Sequence, residues 1–120
     1  MHARNLIREP DGQVFVIDWD DVMLAPKERD FIFIRDPGAD AFWEGYGHPP
    51  IDWIALTYYR CERVVQDVIA CADDMFFKDE LGEITRADIA GLFHEILFGN
   101  TSTINDVYAA AAHLPADLTS

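Results

Sequence analysis

Asn5 and Asp18 stand thirteen residues apart, on either side of a sequence that folds back on itself. A carboxamide oxygen and a carboxylate are both hard oxygen ligands. Mg²⁺ prefers such ligands, above all where the phosphates of a substrate complete its shell. Asp18 opens the acidic run Asp18-Trp19-Asp20-Asp21, directly after the apolar run Val14-Phe15-Val16-Ile17. The chemistry this suggests is metal-assisted handling of a phosphate, with three carboxylates gathered at a strand end. The plainer reading, a strand end solvated by acidic turn residues, needs only the same residues.

The elements that must position these groups follow from the local pattern. Asn5 to Arg8 reads as a short strand, Glu9-Pro10-Asp11-Gly12 as a turn with glycine in the left-handed position, and Gln13 to Asp18 as the return strand. The unbroken apolar run predicts a return strand buried on both faces. Trp19 to Ala25 reads as a loop. Pro26 suits the first turn of a helix from Lys27 to Ile34, with Phe31, Ile32 and Ile34 inward. Asp36-Pro37-Gly38 breaks the chain before a short helix, Ala39 to Tyr46, and Gly47-His48-Pro49-Pro50 breaks it again.

Asp52 is placed to cap the longest helix, Trp53 to about Lys78. Ile54, Tyr58, Cys61, Val65, Val68, Ala72 and Met75 or Phe76 recur at three- and four-residue steps and predict the buried stripe. Arg60, Glu62, Arg63, Gln66 and Asp67 fill the other faces. Thr85 with Asp88 resembles a capping box for a helix through Phe98, with Ile89, Leu92, Phe93 and Ile96 inward. A last helix, Thr103 to His113, is capped by Ser102 or Thr103 and stops before Pro115. The expected architecture is a single α+β domain over 1–120, mostly α, with a small hairpin packed on a helical bundle.

Composition narrows the function. Nine Lys and Arg against 22 Asp and Glu give a formal charge of −13, which argues against nucleic acid as a partner. It suits a cationic ligand, or Mg²⁺ with a phosphate, although solubility alone accounts for it equally well. No apolar run reaches the roughly 18 residues of a membrane helix, so the expectation is a cytoplasmic protein without a membrane partner. Cys61 and Cys71, ten apart in one helix, are separated by about 15 Å, too far for a disulfide; both read as small core residues in a reducing compartment. Asp18-x-Asp20 could open a calcium loop, but Val22, Met23 and Arg29 occupy positions that such a loop needs for ligands and glycine.

Three stretches together carry a resemblance: His2-Ala3-Arg4-Asn5-Leu6-Ile7, Val16-Ile17-Asp18-Trp19-Asp20-Asp21 and Pro26-Lys27-Glu28-Arg29-Asp30-Phe31. They resemble the C-terminal lobe of the aminoglycoside phosphotransferase family, which has a kinase-like fold. Ile17-Asp18-Trp19-Asp20 followed by Met23-Leu24-Ala25-Pro26-x-Glu28-Arg29-Asp30 most resembles the spectinomycin phosphotransferase-like branch, which Gly45-Tyr46-Gly47 and Tyr58-Tyr59-Arg60 also resemble. The resemblance implies Asn5 and Asp18 as Mg²⁺ ligands, His2 and Arg4 in the catalytic loop, and Asp30 as a structural acid tying that loop to the next helix. Asp20, Asp21, Glu44, Tyr46, Glu62 and Asp67 would face the substrate or metal. It also implies Mg²⁺ with ATP or GTP as cofactor, and a small cationic molecule as substrate, in a full-length relative.

The family's catalytic loop runs His-x-Asp-x-x-x-x-Asn, and its Asp accepts the proton of the substrate hydroxyl. Counted back from Asn5, that Asp falls one position before Met1. The glycine-rich loop and nucleotide-pairing Lys of the N-terminal lobe have no counterpart in the 120 residues. The expectation is a truncated phosphotransferase that is inactive alone; the alternative is a non-catalytic, self-associating helical module. The open strand edge of the hairpin and the aromatic residues Phe31, Phe33, Phe42 and Trp43 predict a homodimer.

Overall fold

In the computed structural model, residues 5–18, 22–35, 38–77, 83–99 and 103–119 are described. His2, Arg4, Asp20 and Asp21 lie outside them, as do Asp36 and Pro37 of the first break, Lys78, Gly82 and Ser102. The chain divides into two compact units, Met1–Pro49 and Pro50–Ser120.

In the first unit, β1 (Leu6–Arg8) pairs antiparallel with β2 (Val14–Val16), with Leu6 opposite Val16 and Arg8 opposite Val14. The turn closes as its residues dictate. Gly12 takes φ +92° and donates its N–H to the Glu9 carbonyl at 2.9 Å. Asp11 accepts from the Gln13 N–H at 3.0 Å. The strands are shorter than expected and are not buried. Val14, Phe15 and Ile17 are exposed and Val16 is half-buried, because among the described residues no helix of the same unit packs closely on either face of the two-stranded sheet.

Lys27–Phe31 is a 3-10 helix rather than an α-helix reaching Ile34, and one further turn bonds the Ile34 N–H to the Phe31 carbonyl at 3.0 Å. Helix α1 (Ala39–Tyr46) follows, stopped by Gly47 at φ +93°. Phe31, only 1% exposed, meets Phe42, Trp43 and Tyr46 edge-on at centroid distances of 6.0, 5.1 and 5.2 Å. Edge-to-face contacts add to area burial here. The aromatic residues expected at a dimer surface are therefore largely spent inside this unit: Phe31 is buried, and Phe33, Phe42 and Trp43 are half-buried.

The second unit is helical: α2 (Trp53–Phe77), α3 (Glu83–Phe98), α4 (Thr103–Ala111) and the short α5 (Ala116–Thr119). Asp52 caps α2 as expected, its Oδ1 accepting from the Ile54 and Ala55 N–H groups at 3.0 Å each. Helix α3 begins at Glu83, so Thr85 lies inside its first turn rather than at its cap. Helix α4 tightens after Ala111, where the Leu114 N–H bonds the Ala111 carbonyl at 3.0 Å, and α5 starts directly behind Pro115, where no helix was expected.

Helices α3 and α4 pack on α2, but on a different face from the expected stripe. The buried residues of α2 are Leu56, Arg60 and Cys71. Ile54, Tyr58, Cys61, Val65 and Phe76 are exposed. Helix α2 carries apolar residues at three- and four-residue steps on two faces, and periodicity does not say which one the neighbours take. Arg60 is buried because its stem packs while its Nη1 donates to the Asp106 carbonyl of α4 at 2.7 Å. Cys71 is a core residue as expected; Cys61 is not. Leu92 of α3, expected inside, is exposed. No helix among the described residues is long and apolar enough to cross a membrane.

Candidate functional site

The turn geometry brings Asn5 and Asp18 together. Beyond the last paired residues the hairpin register continues, with the Ile17 N–H donating to the Asn5 carbonyl at 2.8 Å. Asp18, next in the chain, has φ +64°, the only positive φ on a residue other than glycine among those described. The left-handed region is uncommon for such residues, although Asp tolerates it better than most. This conformation ends the strand, and the Asn5 Nδ2 donates to the Asp18 Oδ2 at 3.3 Å. Asn5 is half-buried and Asp18 is exposed, so backbone anchors the pair on one side while the other side opens outward.

The N–H···O bond between the two side chains leaves the Asn5 Oδ1 and the second carboxylate oxygen of Asp18 as hard oxygen donors, which suit a cation that brings the rest of its shell with it, as Mg²⁺ does with water and phosphates. They do not make a cage: no group of three or more His, Cys, Asp or Glu able to hold a metal occurs among the described residues.

In the same unit, Asp30 is exposed on the 3-10 helix and Glu44 on α1; Tyr46, 53% exposed, stacks on Phe42 with ring centroids 5.3 Å apart. Glu28, which the sequence reading passed over, is 2% exposed and accepts from the Lys27 Nζ at 2.7 Å. A carboxylate this buried must be paired. Set between Lys27 and Arg29, Glu28 carries no sequence signal that separates it from a surface glutamate.

In the second unit a groove of about 430 Å³ is lined by Arg63, Asp67, Cys71, Asp74, Leu92 and Glu95, among others. Asp67 is there as an ion-paired residue, its Oδ1 2.7 Å from the Arg63 Nη2 one helical turn away. Glu62 is half-buried on α2 and does not line the groove. Burial pushes the Cys71 thiol above its usual range, and the nearby Asp67 and Asp74 carboxylates push it the same way. Three carboxylates against one guanidinium make the groove hospitable to a cation.

Among the described residues, a mostly helical chain with an antiparallel hairpin resembles the C-terminal lobe of the kinase-like fold. The match in three dimensions is to the spectinomycin phosphotransferase APH(9)-Ia, solved in complex with ADP and spectinomycin. The TM-score is 0.73 at 31% sequence identity, over 92% of this chain. The chain spans 36% of the length of that protein. The resemblance carried by the three motifs is thus found in the structure as well. No family model matches the chain, and no curated protein matches its sequence.

Proposed function

We propose that the chain is the metal-binding portion of an O-phosphotransferase of the aminoglycoside-kinase type. The whole enzyme would move the γ-phosphate of ATP or GTP to a hydroxyl of a small cationic molecule. The observation that carries this reading is the 3.3 Å contact between Asn5 and Asp18, held by the left-handed backbone at Asp18. Similarity to a protein solved with ADP and spectinomycin supports the same direction.

Asn5 and Asp18 would hold Mg²⁺, which when bound offsets the charge developing on the phosphate oxygens. Asn5 fixes the carboxylate of Asp18 by its carboxamide N–H and leaves its own Oδ1 for a cation. The hairpin ladder positions both groups before a ligand arrives, so little reorganisation is needed. Asp67, and with it Glu62, Glu44, Tyr46, Asp20 and Asp21, would contribute to attraction of an amine-bearing substrate, and Asp30 would steady the catalytic loop around His2 and Arg4.

These residues position and neutralise, but none of them accepts the hydroxyl proton. The 120 residues hold no His-x-Asp ahead of Asn5 and no nucleotide-pairing Lys in a glycine-rich context. The isolated chain is therefore expected to transfer no phosphate. The test is incubation of purified chain with Mg²⁺, γ-labelled ATP or GTP, and spectinomycin or kanamycin. Label in the antibiotic at background level is the expected result. Transfer above background that Asp18→Ala abolishes would overturn it.

A further inference from the structure

The apolar stripe of α2 that faces away from α3 and α4 has an order of its own. Ile54, Tyr58, Val65, Ile69 and Phe76 are between 56% and 69% exposed, and Cys61 lies exposed in line with them. Ala72, half-buried, completes the row. The steps between successive members are four or three residues throughout and average about 3.7, close to the roughly 3.6 residues per turn that keep a row on one face of a straight helix. No charged residue interrupts the row, in a chain with a formal charge of −13.

The row is also symmetric about Val65. An antiparallel second copy with a two-fold axis at Val65 sets Ile54 against Phe76 of the second copy, Tyr58 against its Ala72, and Cys61 against its Ile69. Val65 meets its own mate. The largest ring on one half of the row thus faces the smallest side chain on the other, as an interface shared by identical surfaces requires. Glu62 faces Val68 of the second copy and Asp73 faces its Thr57, so the register sets no acid directly against another.

We propose that this face of α2 is a homodimer interface, with the two α2 helices antiparallel and crossing at Val65. The row runs roughly 33 Å at 1.5 Å per residue. It offers roughly 600 Å² of apolar surface per copy, counting each aromatic side chain at about 200 Å² and each aliphatic one somewhat lower, and scaling each by the fraction exposed. That exceeds the few hundred Å² at which an exposed patch marks an interaction site, and approaches the roughly 800 Å² per partner of a stable interface. Repulsion between two acidic copies opposes the contact and is screened beyond roughly 8 Å at physiological salt. Dimerisation is therefore expected to strengthen as NaCl is raised. The inference does not rest on the phosphotransferase reading; of the residues named there only Glu62 borders the interface, opposite Val68 of the second copy.

Sedimentation equilibrium at tens of micromolar chain and 0.15 M NaCl is expected to give a dimer. Val65→Glu should raise the dissociation constant at least tenfold without loss of helical circular dichroism, since the side chain is exposed in the monomer. In a Cys61→Ser background, Val65→Cys should form an intermolecular disulfide on mild oxidation. Tyr58→Cys should not, because its two copies would lie roughly 21 Å apart along the axis. A 13.6 kDa monomer, a dimer indifferent to Val65→Glu, or cross-linking at position 58 as fast as at 65 would each overturn the proposal.

Discussion

Replacing Arg60 by Met tests how the second unit is held together. Arg60 is 9% exposed and joins α2 to α4 through the Asp106 carbonyl at 2.7 Å. Met keeps most of the stem volume and removes the guanidinium, so packing changes little. A hydrogen bond from a charged donor contributes about 1.5–3 kcal/mol. Asp106 lies inside α4, where its carbonyl also serves the helix's own ladder, so the substitution does not strand a bare acceptor and the low end, about 1.5 kcal/mol, applies. Against this stands the desolvation of a buried cation, which in some proteins makes a hydrophobic replacement stabilising. The guanidinium is already bonded across the two helices, so the lost bond should win. With a urea slope of about 1.5 kcal/mol/M for a domain of this size, the midpoint should fall by about 1 M at unchanged slope. The assay is urea unfolding at 222 nm, wild type and variant at one protein concentration. A midpoint that stays or rises for Arg60→Met would refute the reasoning.

Phe31→Ala removes the centre of the aromatic cluster in the first unit; such a truncation costs about 3–5 kcal/mol. The near-ultraviolet dichroism of Phe42, Trp43 and Tyr46 should be lost, while that of Trp53, stacked on His113 in the second unit, and most of the 222 nm signal remain. The two cysteines should differ as reagents: in Val65→Glu, which keeps the chain monomeric, exposed Cys61 should react with a thiol probe at pH 8 at least about ten times faster than buried Cys71. Because the Cys71 thiol is raised above the ordinary 9.0, the folded state holds its proton more tightly than the unfolded state. The stability linked to it is then present below pH 9.0 and lost as pH rises through the folded value. Urea midpoints at pH 8 and pH 10 should accordingly fall further for wild type than for Cys71→Ala, and equal falls would contradict the assignment.

The juxtaposition of Asn5 and Asp18 was legible because a four-residue turn fixes a hairpin register. Once Glu9 to Gly12 closes, Leu6 must face Val16, and the flanking residues meet. The breaks at Gly38 and Gly47 and the cap at Asp52 were legible for the same reason, each being a backbone requirement met by one residue type. Burial was not. Helix α2 offers two apolar stripes of similar spacing, and the sequence of a single helix does not record which stripe its neighbours occupy. Arg60 and Glu28 were misread or missed because a buried charge is defined by its partner, and the Asp106 carbonyl is 46 residues away from Arg60. The β2 run was read as buried from its composition alone, which is silent on what will cover the faces of its sheet.

The central claim, that Asn5 and Asp18 form the metal site of a phosphotransferase, is tested most directly in a chimera. This chain would replace the matched portion of the spectinomycin phosphotransferase, and Mg²⁺-dependent phosphorylation of spectinomycin would be followed with and without Asp18→Ala. A folded chimera is expected to turn over, and Asp18→Ala to reduce that turnover by about a thousandfold or more, with melting temperature and helical signal unchanged. A folded, active chimera whose turnover ignores Asp18→Ala would contradict the claim.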